Sequence, residues 1–423
     1  MNRYRMIART AGCLVGGLLL SASMIAQIDR SKAPAPGPAP AVHLGEHITF
    51  TLSNGMRVIV VENHKLPMVG VQLRFDIPPM VQADRTGYIE LMGELLAAGT
   101  PTRDKAAIDE AVDGMGASLF TSSDGLYANG LKKNLSPLME IISEVIVSPT
   151  FPEEELEKAR KRAISDVQQR QEDPSAIADV VGRVVTFGRN HPYGEVMTEK
   201  TLRKIDRGVM VGYHNKFFRP EKGYLVFVGD ITEKEARTLA KEHFGQWKPK
   251  PVSHVVNEDG TETIDGIGKV QPWKHVATPA GVRRVVIVDR PGSAQSIIRV
   301  GFPLNFQPKD LRALNAQVMN TILGGGVFNA RLMQNLREDK GWTYGAGSSL
   351  DADRFNGAFH TNASVRTEVT DSAITETLLE IERMRNEPVT QEELDLAKSY
   401  MAGSFARGLE DPRTVARFAL NTY

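Results

Sequence analysis

The chain repeats itself. The string Glu154-Glu155-Leu156, then Ala159, then Glu172-Asp173-Pro174 returns as Glu392-Glu393-Leu394, Ala397 and Glu410-Asp411-Pro412. The register is constant, since 393−155, 397−159 and 411−173 all give 238. Seven identities in fixed spacing specify two copies of one supersecondary unit, and hence a body of two similar halves. In each copy an acidic first turn opens a helix that stops before a proline, as charge–dipole and pre-proline rules require.

The strands that open the halves correspond too. Gly55-Met-Arg-Val-Ile-Val-Val61 follows an Asn-Gly turn and leads to Val69-Gly-Val-Gln-Leu-Arg-Phe75. Val285-Val-Ile-Val288 leads likewise to Ile297-Ile-Arg-Val-Gly-Phe302. Helices are predicted over 87–98, 105–115, 135–147 and 153–171, then a strand at Tyr224-Leu-Val-Phe-Val-Gly-Asp230 and a helix over 233–243. There is no strict βαβ rhythm and no phosphate-loop signature. The expected class is therefore α+β: two similar halves of mixed, mainly antiparallel sheet with flanking helices. The chain ends at Tyr423, near the equivalent of residue 185 (423−238), so the second half reads as incomplete at its C-terminus.

Composition narrows the function. The 423 residues carry 51 Lys+Arg against 51 Asp+Glu, a balance that argues against nucleic-acid binding. One cysteine excludes a disulfide scaffold and multi-cysteine zinc modules. Arg3, Arg5 and Arg9 precede the apolar run Ala11-Gly-Cys-Leu-Val-Gly-Gly-Leu-Leu-Leu20 and small residues at Ser21, Ala22, Ser23 and Ala26. This is the pattern of an export signal, so 1–26 is expected to be cleaved, taking Cys13 with it. The mature protein is then expected to be periplasmic or extracellular, without a membrane span. Residues 27–46 form a Pro/Ala-rich spacer, 47–247 the first half, 248–280 a linker and 281–423 the second half.

Four segments carry a family resemblance. They are Leu52-Ser-Asn-Gly-Met-Arg-Val, the stretch from Gly87 to Gly99-Thr100, Phe187-Gly-Arg-Asn-His-Pro-Tyr-Gly194, and Leu323-Gly-Gly-Gly326 followed by Asn335-Leu-Arg-Glu-Asp-Lys-Gly-Trp-Thr-Tyr344. In order and spacing, over about 47–423, they resemble the insulinase/pitrilysin-type zinc peptidases, whose metal motif is H-x-x-E-H. The resemblance implies two α+β halves closing around a peptide. In many bacterial members, and in the mitochondrial processing peptidase, the work is divided between two different subunits.

The metal slot here departs from that pattern. Glu90 and Glu94 stand where both histidines belong, Gly93 where the general-base glutamate belongs, and Asp166 near the third ligand. Zinc hydrolysis needs two imidazoles four apart on one helix face and a carboxylate to take the water's proton. No zinc is therefore expected in this chain. Glu90, Glu94 and Asp166 could instead form an all-oxygen Ca²⁺ or Mg²⁺ site, or simply a solvated face. The literal match His43-Leu-Gly-Glu-His47 lacks the helix the motif requires, but is a second candidate.

The second half keeps its signature. The resemblance makes Arg337 and Tyr344, seven apart, the substrate-binding pair, with Gly324, Gly325 and Gly326 beside them. A guanidinium and a phenol suit a peptide carbonyl and the oxyanion that develops on it. His191-Pro-Tyr193 is expected to be a structural turn. The expectation is an exported, non-catalytic, substrate-binding subunit of a heterodimeric peptidase, with zinc and H-x-x-E-H in a homologous partner. The alternative is a structural or peptide-binding protein, like the family's non-enzymatic respiratory-complex core subunits.

Overall fold

The computed structural model describes residues 47–277, 283–326 and 328–421. The proposed signal 1–26, the spacer 27–46 and most of the His43-Leu-Gly-Glu-His47 string lie outside them. His47 opens the first strand.

Alternating apolar residues build the first half. Its strands are β1 (His47–Thr51), β2 (Arg57–Glu62), β3 (Met68–Phe75), β4 (Ser118–Ser122), β5 (Gly125–Leu131) and β6 (Gly223–Gly229). Their order is β1-β2-β6-β3-β5-β4. Only the β2–β6 pair is parallel. The helices are α1 (Tyr88–Leu95), α2 (Lys105–Gly114), α3 (Leu135–Val147), α4 (Glu153–Glu172), α5 (Pro174–Phe187), α6 (Arg207–Phe217) and α7 (Glu233–Phe244). Val58 and Val60 of β2, Val71 and Leu73 of β3 and Phe227 of β6 point into one core with Met92, Ile142, Leu156 and Phe244 from four of these helices. The other parity, Ile59, Val61, Val226 and Val228, faces the opposite way.

The stretch read as a linker is structured in part. Its strands β7 (His254–Val256), β8 (Glu262–Ile264) and β9 (Gly268–Val270) form a small antiparallel sheet. Ile264 and the nearby Ile267 are buried in the first-half core.

The second half repeats the first in miniature. Its strands β10 (Gln295–Leu304), β11 (Thr343–Asp351) and β12 (Gly357–Arg366) are ordered β10-β12-β11, matching β3-β5-β4. Its helices are α8 (Ala313–Asn320), α9 (Thr370–Asn386), α10 (Gln391–Gly408) and α11 (Pro412–Asn421). Ile298, Leu323, Leu336, Phe359 and Val365 form its core. The repeated identities have packing reasons, since Leu156, Ala159 and Ala397 are all buried. The repeated Asp-Pro starts a further helix in each half, which the sequence reading left out. Asp173 caps α5 by accepting from the Ser175 and Ala176 amides.

The halves exchange these helices. Helix α11 of the second half lies on the outer face of the first sheet, with Ala416 and Ala419 against Ile59, Val61, Val226 and Val228. Helix α5 of the first half lies on β10 of the second. There Asp179 pairs with Arg299 at 2.7 Å, and a Cβ on Gly182 would sit 2.6 Å from the Arg299 side chain. Further ties are Arg354–Asp76 at 2.7 Å, Tyr193 Oη donating to Asp353 at 2.9 Å, and Trp273 Nε1 donating to the Pro79 carbonyl at 3.0 Å. His191 is buried in this junction, stacked on Phe187 and edge-on to Trp273.

The strand expected from Val285, Val286, Ile287 and Val288 does not form. These residues lie in irregular backbone, 80%, 48%, 85% and 52% exposed. The physical reason is a missing partner. In the first half β2 pairs with β6, and among the described residues of the second half no strand takes β6's place.

Candidate substrate-binding segment and altered metal slot

The slot in the first half sits on α1. The loop before it is pinned by Glu195, whose carboxylate accepts from the amides of Gln82 (2.8 Å) and Ala83 (2.6 Å). Burial holds the Glu195 carboxyl above its ordinary pKa. The Gln82 side chain in turn accepts from the amides of Gly87 and Ile89, capping the helix where Gly87 has φ +111° and no side chain to offer. Tyr88, Leu91, Met92 and Leu95 bury one face of α1, which leaves Glu90 and Glu94 exposed on the other.

The substitutions at this slot have structural counterparts. Glu94 forms an ion pair with Arg162 of α4, so a guanidinium already engages the carboxylate at a ligand position. Asp166 is exposed one turn further along α4. A Cβ on Gly93 would lie 2.5 Å from the Ser123 amide nitrogen and 2.8 Å from the Ser122 carbonyl carbon. The β4–β5 turn thus occupies the space a general base would need. Among the described residues no three His, Cys, Asp or Glu side chains are grouped to hold a metal ion. The residues at the slot do not fit zinc, and the all-oxygen cluster of Glu90, Glu94 and Asp166 is not assembled.

The second-half segment is shaped by two irregular turns. Residues Thr321–Gly325 and Gln334–Asp339 are π-helical turns, a local widening enriched at functional sites. The first carries the glycine run. A Cβ on Gly324 would meet the Ser348 amide nitrogen at 2.5 Å, on Gly325 the Asn320 side chain at 2.6 Å, and on Gly326 the Thr321 carbonyl at 2.6 Å. Gly324 therefore allows the turn to lie against β11, as Gly93 does at the end of β4, while Gly325 and Gly326 allow the chain to fold back on the preceding Asn320 and Thr321. Arg337 is on the second turn, fastened by buried Leu336. Its guanidinium lies 5.2 Å from the Phe328 ring and 3.5 Å from Glu338.

Tyr344 owes its orientation to a β-bulge. In the β11–β12 ladder Thr343 faces Val365 and Ala346 faces Ala363, so Tyr344 and Gly345 together oppose Ser364. The Thr343 hydroxyl holds the bulge, donating to the Gly345 carbonyl at 2.8 Å and accepting from its amide at 3.0 Å. Tyr344 as a whole is 90% exposed. Between the pair, the Gly341 amide donates to the Arg337 carbonyl (3.0 Å) and the Trp342 amide to that of Leu336 (2.9 Å). The turn passes through Gly341 at φ +61°. No hydrogen bond, ion pair or ring contact among the described residues joins Arg337 or Tyr344 to Glu90, Gly93, Glu94 or Asp166.

Sequence reasoning missed Arg162, Gln82, Glu195 and Phe328. Arg162 had a signal, since it lies one helical turn before Asp166 on the same face. The others act across long separations and leave no local pattern.

Comparison with known proteins now decides the family. The family model described as Insulinase (Peptidase family M16) matches residues 57–186, and the one described as Peptidase M16 inactive domain matches 204–401. The chain belongs to the insulinase family of peptidases. An uncharacterized zinc protease of Mycobacterium tuberculosis is 26% identical over 388 residues, covering 89% of this chain and 84% of that protein. The fold is shared with a peptidase M16 inactive domain from Pseudomonas fluorescens, with TM-score 0.70 and 24% identity over 85% of this chain and 84% of that one. A protease from Helicobacter pylori superposes with TM-score 0.74 at 18% identity, covering 89% of each chain. No helix among the described residues of this insulinase-family chain is long and apolar enough to cross a membrane.

Proposed function

We propose that this chain is the non-catalytic, substrate-binding subunit of a heterodimeric metallopeptidase, exported under the 1–26 signal. The observation that carries this reading is an asymmetry. The Arg337/Tyr344 segment is braced residue by residue and presents an exposed phenol, whereas the metal slot holds a Glu94–Arg162 pair and a sterically required glycine. A partner with an intact H-x-x-E-H would contribute zinc and the general base. Arg337 and Tyr344 would bind a peptide carbonyl and favour the charge developing on it.

The test is reconstitution with a homologous H-x-x-E-H chain from the same genome. Peptide hydrolysis should require both chains, and Tyr344→Phe or Arg337→Lys should lower kcat/KM by roughly 10²-fold with the fold intact. A partner fully active alone, with no gain on mixing, would end this proposal. The second reading, a peptide-binding protein outside proteolysis, is favoured by the altered slot itself. Calorimetric peptide binding in the absence of any hydrolytic partner would support it.

A further inference from the structure

We propose that His191 is a proton-sensitive latch: its neutral ring holds the 271–277 stretch and the β11–β12 turn against the first half, and its protonation releases them. The inference is independent of the proposed function, since it invokes neither a partner chain nor a substrate.

Three parts of the chain meet on this one ring. Phe187 and Tyr193 of the first half lie against the imidazole, the former stacked and the latter edge-on, both with centroids 5.2 Å away. Trp273, from the stretch between the halves, meets it edge-on at 4.9 Å and reaches Phe355 of the second half at 6.0 Å. Each neighbour is tied outward in turn. Trp273 Nε1 donates to the Pro79 carbonyl, and Tyr193 Oη donates to Asp353. Asp353 also accepts from the Phe355 and Asn356 amides, and the Asn356 side chain accepts from the Val276 amide at 2.7 Å. The cluster is therefore continuous from the first half, through residues 273–276, to the turn between β11 and β12.

The ring is built for one protonation state. His191 is only 3% exposed. Its Nδ1 accepts from the Tyr193 amide at 3.1 Å, which places the ring proton on Nε2. Nε2 itself is buried with no hydrogen-bond partner among the described residues. A second proton would have to sit on Nδ1, facing the Tyr193 N–H. That exchanges a hydrogen bond for two opposed donors and leaves a buried cation with no acceptor at either nitrogen. A ring swung out to water escapes both costs, and Phe187, Tyr193 and Trp273 lose the surface they share.

The titratable and charged groups around the ring do not reverse this. They are Tyr193 on its own turn, exposed His275 beyond Trp273, and Asp353 and Arg354 on the second half, with Arg354 paired to Asp76. The Asp353 carboxylate favours a charged ring, but burial is the larger effect and His275 acts in the same direction as burial, so the His191 pKa lies below its ordinary value. By linkage the latch is strongest above about pH 6.5 and weakens as pH falls below it. One proton allows the opening constant to rise up to about tenfold between pH 7.5 and 5.5. Helices α5 and α11 still join the halves, so release frees the 271–277 stretch and the turn without unfolding either core.

The test is amide hydrogen exchange on the full chain, corrected for the intrinsic rate at each pH. Amides of 193–194, 273–276 and 353–356 should open up to about tenfold more at pH 5.5 than at 7.5. His191→Gln keeps an acceptor for the Tyr193 amide but takes no proton, and should abolish this response, whereas His214→Gln should leave it in place. Trp273 emission, taken as the difference from Trp273→Phe, should shift to the red on acidification in the wild type and not in His191→Gln. If that variant does not fold, NMR of ring-labelled histidine in the wild type should show His191 titrating over the same pH range as the exchange response. Three outcomes would overturn the proposal: junction amides indifferent to pH, a response unchanged in His191→Gln or out of step with the His191 titration, or one abolished by His214→Gln, which would make it global unfolding.

Discussion

At the scale of single residues, Gly93 opposes any attempt to rebuild the family's metal motif by exchanging letters. A Cβ there would collide with the Ser122–Ser123 backbone, so any side chain must displace the β4–β5 turn. Gly93→Ala should cost about 1–3 kcal/mol in urea denaturation. The triple variant E90H/G93E/E94H should retain well under one zinc per chain after dialysis, measured by elemental analysis; a full equivalent would show that the turn yields. His214 gives a pH signature. Its Nε2–H donates to the Ile146 carbonyl at 2.8 Å, and burial pushes its pKa down to about 4. The unfolded imidazole protonates near its ordinary value of about 6.5, so protons favour the unfolded chain. Stability should therefore fall as pH drops from about 6.5 to 4, and His214→Gln should remove that part of the slope in urea midpoints.

At the scale of elements, regular periodicity was legible and irregularity was not. The expected helices at 135–147 and 153–171 became α3 and α4 within a residue, because their apolar spacing and acidic starts are local signals. The π-helical turns and the Tyr344 bulge were invisible, since each depends on a partner strand fixing its register. The 285–288 segment failed for the same reason in reverse: strand-forming residues without a neighbour to pair with. The slot's residue types could be read from the sequence; the spacing of Arg162 from Asp166 put it on the right helix face, but its pairing with Glu94 depends on how two helices pack. Helix α10 supplies a prediction at this scale. Glu393 caps its own helix N-terminus by accepting from the Thr390 amide at 2.8 Å, and accepts from Arg331 Nε and Nη2 at 2.6 and 3.0 Å. The Arg331 guanidinium, with the Thr390 amide, holds the Glu393 carboxyl down at about 2. An unfolded glutamate titrates near 4.3, so this contribution is present above that pH and is lost as pH falls toward 2. Glu393→Gln should lose about 1–2 kcal/mol at pH 7, and thermal melts should show the difference shrinking in acid.

At the scale of the whole molecule, the exchange of α5 and α11 makes the two halves one thermodynamic object. Among the described residues, each sheet has a helix of the other half packed on it. Calorimetry should therefore show a single cooperative transition. Ala416→Asp, a change in the second half, should speed hydrogen exchange in β2 and β6 of the first, whereas loss of protection confined to α11 would show that the halves unfold separately. The repeat made two similar halves legible, but their interlocking was not, because a helix sequence does not say on whose sheet it will lie. The interlock also sets a timetable for biosynthesis. The apolar surface of Ile59, Val61, Val226 and Val228 is translated by residue 229 but meets its cover only when residues 412–421 emerge. At ribosomal rates of about 5–20 residues per second, that leaves roughly 10–40 s in which the nascent first half stays unfinished and adhesive. A chain with that schedule cannot close its first half until residues 412–421 have emerged, and through that interval the naked sheet is open to its neighbours.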